Sequence, residues 1–268
     1  MKKRHLLSAC LTALLSLPLS GAQAGMYDDT IRHSILPGWQ EADGAVIAAF
    51  DVQLAPGWKT YWRAPGEGGI PPMFDWSASD NLAHVDYLWP APHVFDREGL
   101  RSIGYKEGML LPMRLTPKDP SKPITLRGQA DIGVCQDICM PVTLPLDAAL
   151  PLQGKRNPQI AAAMAAIPFS AKEAGVRDVK CDVRPDERGL TLTAAVKMPF
   201  AGGHEDAVIE VATPQVWVDV PHSQRQGDTL YVQTTLSTAG GGAVFVNRSE
   251  VTITVIGSKY TVEIDGCK

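Results

Sequence analysis

Four cysteines of this 268-residue chain fall into two pairs whose spacings imply different chemistry. Cys135 and Cys139 are separated only by Gln136-Asp137-Ile138, whereas Cys181 and Cys267 are far apart in sequence. Two thiols at short range interconvert with a disulfide by thiolate attack on sulfur, so a close pair is a candidate redox centre. A distant pair constrains the unfolded chain and is a candidate staple. In the chain-entropy model a Cys181–Cys267 bridge closes 87 residues, worth about 4.6 kcal/mol. A Cys135–Cys139 bridge closes five, worth about 2 kcal/mol, which makes stability a weak reason for it.

The short pair also dictates local structure. Four residues of extended strand span about 13 Å, while bonded cysteines need Cα atoms roughly 4.4–6.8 Å apart. The chain must therefore turn at Gln136-Asp137-Ile138, either as a hairpin loop or as one helical turn. Upstream, Ala130, Ile132 and Val134 share an apolar face, and Asp131, Gly133 and Cys135 point the other way. Downstream, Val142, Leu144 and Leu146 are apolar and Cys139 again falls opposite. Both sulfurs are thus expected at a turn on the less apolar face, accessible to exchange. Cys181 shares a face with Val179 and Val183, as a structural half-cystine should; Cys267 is out of phase with Val262 and Ile264 unless Gly266 introduces a bulge.

Other readings of Cys135 and Cys139 stay open. They include a purely structural local disulfide and a copper or zinc site. Met140 is adjacent, but no histidine lies within 40 residues, and two thiolates alone do not make a metal centre. The C-x-x-x-C spacing among strands argues against a thioredoxin-type site. No cofactor and no metal are expected. Asp131 and Asp137 flank the pair, and the nearest basic residue in sequence is Arg127. Carboxylates disfavour a thiolate, so the pair suits attack by a partner's thiolate through a mixed disulfide.

The elements that position these cysteines are short strands. Runs at 46–54, 59–63, 85–89, 110–115, 124–135 and 142–146 alternate or are β-branched, and Pro/Gly-rich turns separate them. Asn157 and Pro158 open a short Ala-rich helix at 159–166, stopped by Pro168 and composed as a linker helix, with a helix packed on the first sandwich as the open alternative. A second set of strands follows at 176–183, 190–197, 207–211, 216–220, 229–236 and 243–246, and a hairpin over 251–264 turns at Gly257-Ser258-Lys259. The expected fold is all-β. A first immunoglobulin-like sandwich spans 25–153, a linker helix 154–175, and a second sandwich 176–268.

Residues 1–24 read as a secretory signal peptide. Lys2, Lys3 and Arg4 precede an apolar run, and Ala22-Gln23-Ala24 supplies the small-x-small cleavage pattern. Leu7-Ser8-Ala9-Cys10 superficially resembles a lipoprotein box, but most of the apolar run follows Cys10. No later stretch holds the 18 or more apolar residues of a membrane span, so a soluble, exported periplasmic protein is expected. With 25 basic against 29 acidic residues and no basic block, nucleic acid is excluded as a partner. Neither a nucleophile elbow nor a zinc-protease motif is present.

At the cysteines a family resemblance appears. Gly133-Val134-Cys135-Gln136-Asp137-Ile138-Cys139-Met140-Pro141 resembles the active-site segment of the N-terminal periplasmic domain of the DsbD-type thiol–disulfide interchange reductases, and still more that of their ScsB-like, copper-tolerance-associated relatives. Ala55-Pro56-Gly57-Trp58-Lys59-Thr60-Tyr61-Trp62-Arg63-Ala64-Pro65-Gly66-Glu67-Gly68-Gly69, Trp89-Pro90-Ala91-Pro92 and Gly104-Tyr105-Lys106 extend it over roughly residues 35–150. The resemblance implies an immunoglobulin-like sandwich with Cys135 and Cys139 as the redox pair. It implies electrons received from a membrane-embedded reductase and passed to periplasmic thioredoxin-like proteins, and it leans towards Cys135 as the attacking sulfur. It also implies a cap loop at 92–105, with Phe95 or Tyr105 as the shielding aromatic and Tyr61 as a neighbour.

Two departures from the family stand out. The gap between the cysteines is shorter than in the best-known members. The chain also shows no multi-helix membrane domain and no C-terminal C-x-x-C domain, so a membrane donor is expected to be borrowed. The competing expectation is a non-enzymatic accessory of copper tolerance or cytochrome maturation. It would have a structural Cys135–Cys139 bridge and bind partners through loops bearing Trp58, Trp62, Trp76 and Trp89.

Overall fold

A computed structural model describes residues 30–268 except 98, 214, 241 and 243. The expected signal peptide and Cys10 lie outside the described residues. The fold is all-β, built as two sandwiches.

The first sandwich comprises β1 (Ile31–Gln40), β2 (Val46–Leu54), β3 (Lys59–Tyr61), β4 (Met73–Asp75), β5 (Leu82–Tyr87), β6 (His93–Arg97), β7 (Leu100–Lys106), β8 (Gly108–Pro117), β9 (Ile124–Cys135) and β10 (Cys139–Leu150). One sheet runs β1-β2-β8-β5; the other runs β10-β9-β3-β7-β6, with β4 paired to β9. The alternation read from the sequence places Ile124, Leu126, Ala130, Ile132 and Val134 of β9 in the core, facing Phe50, Leu111, Met113 and Leu115 of the opposing sheet. Trp62 and Trp89 belong to this core, and Trp58 and Trp76 pack against it. The tryptophans expected on partner-binding loops therefore fill the interior instead, where each indole removes a large apolar area from water.

Helix α1 (Pro158–Ala165) begins as expected: the Asn157 side chain accepts from the N–H groups of Gln159 and Ile160, and proline occupies the first turn. It is more than a connector. Ile160 is fully buried against Ile47 and Ala49, with Leu36, Trp39 and Leu110 around it. The near-continuous apolar run of β2 follows from this, because the core covers one of its faces and α1 the other.

The second sandwich contains β11 (Phe169–Ser170), β12 (Asp178–Asp186), β13 (Gly189–Lys197), β14 (Asp206–Val211), β15 (Val216–Val218), β16 (His222–Gln226), β17 (Thr229–Thr238), β18 (Val251–Ile256) and β19 (Thr261–Asp265). Its sheets are β11-β19-β18-β14 and β12-β13-β17-β15, with β16 paired to β17. Of the strand expected over 243–246, the described residues 244–246 form none. The hairpin at Gly257-Ser258-Lys259 forms as read.

Cys181 and Cys267 are bonded, with Cα atoms 5.6 Å apart. The phase problem is solved at Gly266, whose φ of 73° is open to glycine without strain. Past it the chain leaves β18 and pairs with β12, where the Lys268 N–H donates to Val179 O at 3.2 Å and Cys181 N–H donates to Lys268 O at 2.9 Å. Among the described residues no helix is long and apolar enough to cross a membrane.

Candidate functional site

Cys135 ends β9 and Cys139 begins β10, and the two residues face each other in the hairpin register. Gln136, Asp137 and Ile138 make the turn. The cysteines are disulfide-bonded with Cα atoms 4.1 Å apart. Their environments differ. β9 lies inside the sheet, and Cys135 has Lys59 of β3 on its other side; β10 lies at the sheet edge. Cys135 is accordingly 4% exposed, while Cys139 is open to solvent. The expectation that both sulfurs are accessible therefore needs correcting: Cys139 is accessible, whereas Cys135 lies beneath neighbours that a strand pattern does not show.

Those neighbours come from the chain just after β3. Lys59 and Tyr61 share the outer face with Cys135, and the 65–71 loop folds back over that face, with Ile70 against Gly133 and Gly68 beside Cys135 in the same pocket lining. A Cβ at Gly133 would stand 2.7 Å from a Tyr61 ring carbon and 2.6 Å from Ile70 Cβ, so only glycine lets the ring and loop lie this close. Gly133 O accepts from Thr60 Oγ1 at 2.9 Å, which fastens β3 to β9 beside the site.

Tyr61 is 1% exposed, and its hydroxyl oxygen lies 3.1 Å from Cys139 Sγ. A disulfide sulfur carries no proton, so the phenol is the donor. Burial pushes the Tyr61 pKa up and keeps that proton in place. Lys59 Nζ donates to Ser102 Oγ at 3.1 Å and sits 5.1 Å from the Phe95 ring centroid. Lys106 approaches the same ring at 5.8 Å.

Lys59, Tyr61, Gly68, Leu100, Ser102, Cys135, Asp137 and Cys139 together line a pocket of about 250 Å³. Folding thus brings a cation to the pair, although Arg127 is the nearest in sequence. A lysine in register with Cys135 favours a thiolate there when the bond opens.

The other aromatics expected around the site separate. Phe95 and Ser102 are opposite one another on the β6–β7 hairpin, and Phe95 stacks under two ammonium groups as a support for Lys59. Tyr105 sits in the sandwich core, 7% exposed, and its hydroxyl donates to Pro90 O at 2.8 Å. It fills the interior and does not cover the sulfurs, because β7 alternation turns it inward. The sequence reading missed Leu100 and Ile138, 58% and 75% exposed. Leu100 lines the pocket, and Ile138 is in the turn beside Cys139. An isoleucine inside a three-residue hairpin turn is a legible signal, since turns favour polar residues and glycine.

Chemically, an exposed disulfide sulfur next to a buried one directs an incoming thiolate. Attack at Cys139 Sγ expels the Cys135 sulfur as a thiolate into a pocket holding a lysine. Among the described residues no cluster of three or more metal-ligating side chains occurs.

Residues 32–151 match the family model described as "Thiol:disulfide interchange protein DsbD, N-terminal". The chain is also similar to the crystal structure of the N-terminal periplasmic domain of ScsB from Proteus mirabilis. Sequence identity is 26% and the TM-score is 0.67, over 90% of this chain and 94% of that one. The likeness therefore takes in both sandwiches. No curated protein sequence matches.

Proposed function

Residues 32–151 are a DsbD-type N-terminal domain, and from that premise we propose that this protein relays reducing equivalents by thiol–disulfide exchange in the periplasm. A membrane-embedded thiol reductase is the donor, and thioredoxin-like periplasmic proteins are the acceptors. The observation that carries the reading is the asymmetry of the pair, with Cys139 exposed at a sheet edge and Cys135 shielded.

In the charging half-reaction the donor's thiolate attacks Cys139 Sγ. The Cys139–Cys135 bond breaks, Cys135 leaves as a thiolate, and a donor–Cys139 mixed disulfide forms. The donor's second thiolate then attacks its own sulfur in that bond and releases the Cys139 thiolate. Two electrons have passed from the donor dithiol to the pair. In the discharging half-reaction the Cys139 thiolate attacks the acceptor's disulfide. Cys135 next attacks Cys139 Sγ, reforming the intramolecular bond and releasing reduced acceptor. Cys139 is thus the exchanging sulfur and Cys135 the resolving one, the reverse of the lean given by the resemblance. The exposed Leu100 and Ile138 supply an apolar rim for a partner at the sulfur that reacts.

The test is the reduction potential of the pair together with partner trapping. A potential nearer −200 mV than −300 mV, on the order of that of known exchange proteins, is expected. Capture of a thioredoxin-like protein through Cys139 is expected with it. A potential below about −300 mV with nothing captured would identify an inert bridge.

A further inference from the structure

Two arginines next to the walls of the redox pocket bond to the second sandwich. Arg63 lies two residues beyond Tyr61, at the start of the loop that covers Cys135. Its Nε donates to Glu210 Oε1 at 3.0 Å, and its Nη2 donates to Glu210 Oε2 at 2.8 Å and to Glu263 Oε2 at 2.5 Å. Glu210 is on β14 and Glu263 on β19, so one guanidinium spans two strands of the second sandwich. The same guanidinium stacks on the Trp62 indole, 4.4 Å from the ring centroid. Side-chain exposures of 25%, 27% and 33% mark a partly buried cluster, in which geometry and not chance encounter sets the contact.

Arg101 does the same for the other wall. Its Nη2 donates to Ala207 O and pairs with Asp206 Oδ1, both at 3.2 Å. Its neighbours in sequence, Leu100 and Ser102, line the redox pocket. Arg101 O accepts from Gly68 N–H, and Ile103 N–H donates to Pro65 O, so the covering loop is fixed to β7 beside Arg101. Val208 and Ile256 of the second sandwich enter the apolar cluster of the first, which seals the junction.

We infer that the second sandwich is a brace for the redox pocket. On this account Arg63 and Arg101 are positioning residues, and their pairing with Glu210, Glu263 and Asp206 holds Tyr61 and the 65–71 loop over Cys135. The brace sets which sulfur is open to attack. It deepens the exchange reading by assigning the second domain a part in its selectivity, yet it is testable without any exchange partner.

The experiment uses the whole chain, reduced with a phosphine and alkylated by iodoacetamide, with each cysteine followed by peptide mass. In the unaltered protein Cys139 labels faster than Cys135 by at least about tenfold, as their difference in burial dictates. In the Glu210→Gln/Glu263→Gln double variant this preference falls several-fold towards equality. Arg63→Lys, which keeps the charge but loses the fork, gives an intermediate preference and serves alone if the double variant does not fold. Preference unchanged within twofold in a folded variant overturns the brace, as does equal labelling in the unaltered protein. Failure of the exchange reading is read separately, in the potential and the trapping of the unaltered protein.

Discussion

The two disulfides sit on sandwiches of the same architecture and behave as opposites. Cys181–Cys267 joins residues 86 apart in sequence, with Cys181 buried in the core of its domain and Cys267 packed against it. It fixes the last residues of the chain to β12, together with the backbone hydrogen bonds of Lys268 to Val179 and Cys181. Cys135–Cys139 joins residues that the hairpin already holds face to face. A bond between established neighbours removes little unfolded-state freedom, so breaking it costs the fold little. With one sulfur exposed at a sheet edge, the bond can also be reached. Low structural value and one-sided access together distinguish an exchangeable bond from a staple.

The sharpest way to break this comparison is to remove one sulfur at a time. Cys135→Ser leaves Cys139 able to attack but unable to be resolved, so a stable mixed disulfide with glutathione or a thioredoxin-like protein is expected. Cys139→Ser is expected to abolish exchange and to trap nothing, because the remaining thiol is buried. Equal trapping by both variants, read on non-reducing gels, would erase the asymmetry. Next in size is the staple. Cys181→Ser/Cys267→Ser is expected to lower the unfolding free energy by about 4–5 kcal/mol, against about 2 kcal/mol for Cys135→Ser/Cys139→Ser. Denaturant titration measures both. Similar losses would mean that the two bonds do the same work.

The sequence made a turn between the cysteines legible, because a bonded pair four residues apart cannot lie in extended chain, and alternation alone put Val134 and Val142 inward; that the turn is a hairpin and not a helical turn is shown by the β9–β10 register. The staple was legible in outline, and Gly266 was rightly singled out as the residue that would repair its phase. Burial of Cys135 was not legible. It depends on a loop folding back over the sheet, and a strand pattern reports only the face a residue points to, not what later covers that face. Lys59 was missed for a related reason: it stands 76 residues before Cys135 in sequence and beside it only through β3–β9 pairing. The Arg63 cluster is invisible for the same cause, since its partners Glu210 and Glu263 come from another domain. The sequence left helix α1 open between a linker and a packed helix because its composition is poor in large apolar residues; one isoleucine, Ile160, seats it on the first sandwich.

Two smaller perturbations sharpen the account of the exchanging pair. Lys59→Met removes the cation beside Cys135. Its thiol pKa should rise in the reduced protein by up to about one unit, or roughly tenfold less thiolate at a pH below it. The sign is fixed by charge, because a cation favours the ionised form and its loss favours the neutral one. Alkylation rate against pH reports the shift, and Lys59→Arg should restore it. An unchanged pKa in Lys59→Met would show that Lys59 does not set the ionisation of the Cys135 thiol.

Tyr61→Phe is the gentlest change. It keeps the ring that covers Gly133 and deletes only the hydroxyl 3.1 Å from Cys139 Sγ. A hydrogen bond to a thiolate is stronger than one to a neutral disulfide sulfur, so the phenol stabilises the reduced pair more than the oxidised one. Deleting it should make the pair harder to reduce, with a difference of about 1 kcal/mol corresponding to roughly 20 mV more negative for a two-electron couple. Equilibration with glutathione measures the shift, and Cys181–Cys267, which is away from the substituted hydroxyl, should not move. A potential that stays put or rises would remove Tyr61 from the redox chemistry and leave it as packing.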